Sequence, residues 1–340
     1  MGWSSYPPEH KRSLTKAVLI YAGIVALSAG WVLIRSDSAT KSWTDRVPHA
    51  SAEIRTVYGS KSSETTASFT NDTTIPAPGD GEGYISIIMT DAGMSATATA
   101  RAIDDLPGPV ALAFSPYAQK LDEWIKKAGD AHRDSLILVP MEPSNYPKDD
   151  PGPEALLSRL SEKDNADRLD WVLARSGGTV GAMNYMGSGF LADDRNTRPV
   201  FDTLHGKNAL FVEAPTTAGT GIAAQTAKAA NTNYLAADLS IDADATELAI
   251  KKQLLDLETL ARKRGYAVGV AQPYPVTFNI LKDWADSLER RGVKLVPLAA
   301  VLKTKVQHDK AAATEQKADE PPPLPGTVTA PAPVQTPEQK

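Results

Sequence analysis

"LILVPMEPSNYPKDDPGP", residues 136–153, decides the fold. Residues 136–139 are uniformly apolar and read as a strand buried on both faces. They stop on a loop with five prolines, one glutamate and two aspartates. The prolines fix the path of that loop and remove conformational freedom from it. A buried strand that empties into a rigid, polar loop is the behaviour of a parallel sheet at its carboxyl edge.

The same pattern recurs on both sides. Apolar runs at 84–89, 110–114, 179–183, 209–213, 234–237, 267–271 and 293–297 bring the predicted strands to eight. Amphipathic stretches alternate with them. The clearest spans 244–264, opens D-x-x-E, and carries Ile250, Leu254, Leu257 and Ala261 on one face. Another spans 165–178, with Asn165 as its expected cap and Gly177 as its stop; a third, 277–292, ends at Gly292. Alternating strands and helices imply an α/β fold with a parallel sheet. Eight strands in so short a span point to a closed or nearly closed (β/α) barrel, with an open doubly wound sheet as the rival. Neither G-x-G-x-x-G nor G-x-x-x-x-G-K-[ST] follows the first strand, which argues against nucleotide binding.

Composition narrows the chemistry. The 340 residues carry a net charge of −5 and no basic block, so nucleic acid is not an expected partner. There is no cysteine, which excludes disulfides, thiolate catalysis and zinc–thiolate sites. The five histidines, His10, His49, His132, His205 and His308, have no ligand spacing.

Flanking segments suggest an envelope protein. Residues 17–34 contain no charge and are long enough to cross a bilayer as one helix. A retained anchor is favoured over a cleaved signal peptide, because "WVLI" continues the apolar run past the small residues of "ALSAG". Lys11, Arg12 and Lys16 precede the span, and Arg35, Lys41 and Arg46 follow it. The tighter cluster before it favours residues 1–16 in the cytoplasm and the bulk in the periplasm, anchored to the inner membrane. Residues 35–81 read as a flexible spacer, 82–303 as the globular domain, and 304–340 as a disordered Pro/Ala/Gln-rich tail.

In a barrel of this kind, residues at the strands' carboxyl ends share one mouth. Here those positions supply Thr90 and Asp91, Ser115, Glu142, Asn184 and Tyr185, Glu213, Asp238 and Asp242, and Gln272, with Tyr274 close behind. Each has a plainer alternative. Asp91 would cap the next helix, Glu142 would satisfy loop amides, and Asp238 and Asp242 would serve as turn and cap residues.

"MTDAGM", "LPGPVALAFSPYA", "LVPMEPSNYPKDDPGP", "RLDWVLARSGGTVGAMNYMGSGF", Thr216–Thr217 and "AQPYP" occur in an order that resembles the divergent polysaccharide deacetylase family, over about 84–302. The resemblance implies a NodB-like distorted (β/α) barrel. It also implies relatives in which an aspartate and histidines hold a metal whose bound water attacks an N-acetyl group. Against that pattern, Thr90 replaces the first aspartate of I-D-D-x-G, and Asp91 keeps the second. Leu138, Tyr185 and Gln272 stand where the family has histidines, Glu213 stands for an aspartate, and Ala237 for a basic residue.

Two readings follow. In one, the barrel has a degenerate metal site, a pseudoenzyme binding envelope glycan, peptidoglycan or a protein partner through Thr90, Ser115, Asn184, Tyr185, Gln272 and Tyr274. In the other, it is a metal-dependent deacetylase of N-acetyl sugars. Asp91 and Glu142 would then be catalytic, and Asp91, Glu213 and Asp238 would hold a hard divalent cation rather than zinc. A glycosidase built on two carboxylates is a third option.

Overall fold

The computed structural model describes residues 75–79, 81–217 and 221–318. The expected span 17–34 and the proline-rich stretch beyond 318 lie outside them. Among the described residues no helix is long and apolar enough to cross a membrane.

Among the described residues, nine strands alternate with helices. They are β1 (Gly83–Ala92), α1 (Ala96–Asp104), β2 (Ala111–Phe114), α2 (Leu121–Asp130), β3 (Ser135–Met141), α3 (Glu162–Ala174), β4 (Gly181–Met186), α4 (Asp194–Gly206), β5 (Leu210–Glu213), α5 (Ile222–Ala229), β6 (Asn233–Ala236), β7 (Leu239–Ser240), α6 (Glu247–Arg264), β8 (Tyr266–Ala271), α7 (Pro275–Ala285), β9 (Val293–Leu295) and α8 (Leu298–Ala318). All strand pairings are parallel, in the order β6-β5-β4-β3-β2-β1-β8-β7, with β9 also paired to β1. All eight predicted strands are present.

The ninth strand, β7, has no sequence signal, yet it brings the sheet's two edges together. β6 and β7 are consecutive parts of one segment. Its first part pairs with β5 and its second with β8. Ala237 N–H donates to Glu213 O, and Asp238 N–H to Val268 O, at 2.8 Å each. The outcome is a parallel α/β half-barrel consistent with the NodB-like expectation, its edges linked by this short segment.

Alternation along the strands sorts the core into two layers. Ile85, Ile87, Met89, Ile137, Val139 and Phe211 pack against helices α1 to α7. Tyr84, Ile88, Leu136, Leu138, Met183, Val212 and Val268 form the inner layer, together with Leu298, Val301 and Leu302 of α8. α8 therefore stops the base of the half-barrel. Asp134 accepts the Leu298 N–H at 2.9 Å and secures an otherwise orphaned donor at that helix start.

Two domain boundaries move outward. Ile75 packs on the inner layer, Tyr84 donates its hydroxyl proton to Pro76 O, and Lys303 reaches Ile75 O, so the domain begins before residue 82. α8 continues to Ala318, past the expected end at 303. Alanine, lysine and glutamine favour that helix, and His308 packs edge-on against Tyr266. Helix starts shift as well. Thr246 caps α6 through Ala249 N, two residues past Asp244. Ser161 caps α3, which ends at Ala174. Asn165 is instead tied both ways to the Leu157 backbone. α7 stops at Ala285, and Gly292, in the left-handed conformation, closes a later turn.

Candidate functional site

The site is built on an irregularity in β1. Met89 pairs with Leu112 and Ala92 with Phe114, so β1 spends one residue more than β2 over this interval. Such a bulge re-aims a side chain. Asp91 sits inside it at φ 54°, a left-handed conformation that aspartate tolerates better than most residues. Gly93 follows at φ 89°; a Cβ there would come within 2.4 Å of the Ala118 methyl. Thr90, on the inner face, donates to Asp91 Oδ2 at 3.3 Å and to Ala271 O at 3.2 Å. The Gln272 side chain hydrogen-bonds the same carboxylate. Burial pushes the Asp91 carboxyl up, and the bonds from Thr90 and Gln272 oppose it. Tyr185, at the end of β4, faces the same charge: burial first, then Asp91, pushes its phenol up.

Gln272 is itself positioned. Asp242 is buried, accepts the Gln272 N–H at 2.9 and 3.1 Å with its two oxygens, and accepts the Thr277 hydroxyl at 2.7 Å. Burial raises its carboxyl, and these two donors oppose the rise. Asp242 thus works behind the site. Leu138, at the expected histidine position, packs in the apolar inner layer.

Large apolar side chains are exposed here. Met94 is 61 % exposed, Tyr274 42 % and Tyr185 36 %, and all three stand at the carboxyl ends of β1, β8 and β4. Half of the exposed large apolar side chains among the described residues are therefore at one end of one sheet. The sequence reading missed Met94. Its signal was a large apolar residue right after Gly93, in an otherwise polar turn.

The remaining candidates do not join Asp91. Glu142 serves the rigid loop: its carboxylate accepts the Ser158 N–H, its carbonyl accepts Gly189 N–H and Phe190 N–H, and its own N–H donates to Leu156 O. The plainer alternative, a carboxylate satisfying loop amides, describes it. Glu213 points the other way, into the layer between sheet and helices, where Tyr234 donates to its Oε2. Strand alternation requires this, since Val212 before it belongs to the inner layer. Asp238 pairs with Arg264 at 2.7 Å and accepts the Val268 N–H. Val268 pairs with Ser86, five residues before Asp91, so Asp238 lies roughly 16 Å back along the strand direction. Ser115 accepts the Tyr117 N–H in a turn. Asn184 donates to Met186 O at the end of β4 and ties β4 to the loop after β5 through Thr217 and Ala214 N–H.

These placements test a metal centre directly. Asp91, Glu213 and Asp238 face three different environments, and among the described residues no three Asp, Glu or His side chains are grouped to hold an ion. The donor set does not fit the metal that the family resemblance implies. Among the described residues the mouth also holds one carboxylate, whereas a glycosidase of that kind needs a pair.

Residues 87–302 match the family model described as divergent polysaccharide deacetylase. The crystal structure of an uncharacterized protein, ATU2773, from Agrobacterium tumefaciens C58 superposes with a TM-score of 0.63. It shares 32 % identity, over 66 % of this chain and 91 % of that one. An uncharacterized protein of Haemophilus influenzae is 28 % identical over 205 residues, 59 % of this chain and 70 % of that protein. The uncharacterized protein YibQ of Escherichia coli is 22 % identical over 211 residues, 61 % of this chain and 63 % of that protein.

Proposed function

Because the chain belongs to the divergent polysaccharide deacetylase family, we propose that it is a glycan-binding descendant of that family, with its ligand held at the mouth around Asp91. The observation that carries this reading is the make-up of the mouth. Thr90, Asp91 and Gln272 present hydrogen-bonding groups beside exposed Tyr185 and Tyr274. Sugar recognition needs both kinds of surface: polar groups for hydroxyls and amides, and aromatic faces for the apolar side of a pyranose ring. A binding role is also favoured by the residues at the family's histidine positions, Leu138, Tyr185 and Gln272, and by the bonding of Glu142, Glu213 and Asp238 to groups outside the mouth. Residues 17–34 would anchor the domain in the inner membrane and present it to envelope glycan in the periplasm.

Isothermal titration of the chain with N-acetylglucosamine oligosaccharides tests this. Binding is expected to persist in EDTA and to weaken about tenfold in Tyr185→Ala, which removes one stacking face. Acetate release from the oligosaccharide with added Zn²⁺ or Mn²⁺, abolished in Asp91→Asn, would establish a deacetylase instead.

A further inference from the structure

Resting on that reading of the mouth, we propose that the sugar it selects carries a free ammonium group, so that the ligand is a de-N-acetylated hexosamine unit read by Asp91. The Asp91 carboxylate has neutral partners, the Thr90 hydroxyl and the Gln272 amide, with the Tyr185 phenol nearby. Among the described residues no lysine, arginine or histidine forms an ion pair with it. The other carboxylates near this edge of the sheet already have work: Glu142 holds Ser158 N–H, and Asp242 holds Gln272 N–H and Thr277. Asp91 is thus a half-buried anion turned into the mouth by a bulge, at a left-handed backbone position, with no cation of its own among the described residues.

Holding an unpaired carboxylate in a partly desolvated mouth is costly, and a ligand cation offsets that cost. An ammonium supplies it through a charge-assisted hydrogen bond, about twice as strong as the neutral bond an acetamide N–H would give. The aromatic faces act in the same direction. Tyr185 and Tyr274 attract a cation through their ring quadrupoles while they cover the sugar ring.

The test is a titration of the full chain with two β-1,4-linked tetramers, one of glucosamine and one of N-acetylglucosamine. The glucosamine tetramer is expected to bind about tenfold more tightly at low salt. That advantage should shrink as salt is raised, a readout that needs no variant. It should also vanish in Asp91→Asn, whose asparagine suits the left-handed backbone, because the glucosamine tetramer then loses more affinity than the acetylated one. Equal affinity of the two tetramers for the native chain would overturn the amine assignment and leave the glycan reading standing. Binding of neither would overturn both. A lysine tetrapeptide binding as tightly as the glucosamine tetramer would overturn sugar recognition and leave bare charge attraction.

Discussion

Glu213 is a carboxylic acid sealed between a sheet and its helices, 0 % exposed, with one oxygen bonded to Tyr234 and the other, Oε1, without a hydrogen-bond partner. Burial raises its carboxyl above the ordinary glutamate range, and the bond from Tyr234 opposes the rise. The folded state therefore prefers the protonated acid. Its contribution to stability is fully present below the unfolded pKa and is lost as pH rises through the folded one. Glu213→Gln keeps an acceptor for Tyr234 and cannot ionise. Urea unfolding at a series of pH values should show the native chain losing stability relative to Glu213→Gln as pH rises across that interval. A difference independent of pH would mean that folding leaves the Glu213 pKa unshifted. Arg133 poses the opposite case, a buried cation. Its guanidinium donates to the carbonyls of Ile103, Leu106 and Pro107, at the end of α1 and in the turn beyond. Arg133→Met fills the space but leaves those carbonyls without their donors. It should cost about 3 kcal/mol of unfolding free energy.

At the scale of elements, α8 decides where the domain ends. Its first turns hold Leu298, Val301 and Leu302 in the inner layer, while Gln307 is exposed. Leu302→Ala should lower stability by about 3 kcal/mol, the transfer term plus the cavity it leaves. Gln307→Ala should change it by no more than about 0.5 kcal/mol. A loss in Leu302→Ala no larger than that in Gln307→Ala, in the same urea series, would mean that α8 does not act as a stopper. β1 shows the other side of element design. Six residues of β8 pair along it in unbroken register, and its pairing with β2 slips only where Asp91 must turn inward. The regular part supplies rigidity, and the irregular part supplies the site.

For the whole molecule, the dispersal of carboxylates sets the metal behaviour. Asp91 sits at the mouth, Glu213 in the outer layer and Asp238 toward the opposite end of the strands, where it is paired with Arg264. Elemental analysis of the purified chain after exposure to Zn²⁺, Mn²⁺ and Mg²⁺, followed by gel filtration, should find metal far below one equivalent. Near-stoichiometric metal that disappears in Asp91→Asn would show that the mouth gathers donors after all. Glycan affinity, measured in parallel, should not depend on chelator.

Composition, the alternation of apolar runs with helical faces, and the order of loop motifs were enough to determine a parallel α/β fold, its eight main strands and its family. These are local signals: burial on both faces makes a strand uniformly apolar, and burial on one face gives a helix its stripe. Asp91, Tyr185 and Gln272 were legible as a group because strand ends in such a fold share one rim. Three things belonged to the tertiary structure alone. β7, two residues long, exists only because β8 offers it a partner. The bulge in β1 depends on the register with β2. The directions of Glu142, Glu213 and Asp238 depend on which neighbour completes each carboxylate's hydrogen bonding: a loop amide, a tyrosine across the sheet, an arginine at a helix end. Sequence names the groups able to ionise or ligate. Which of them face each other is settled by strand parity and by long-range pairing, and neither is written in any local stretch of the chain.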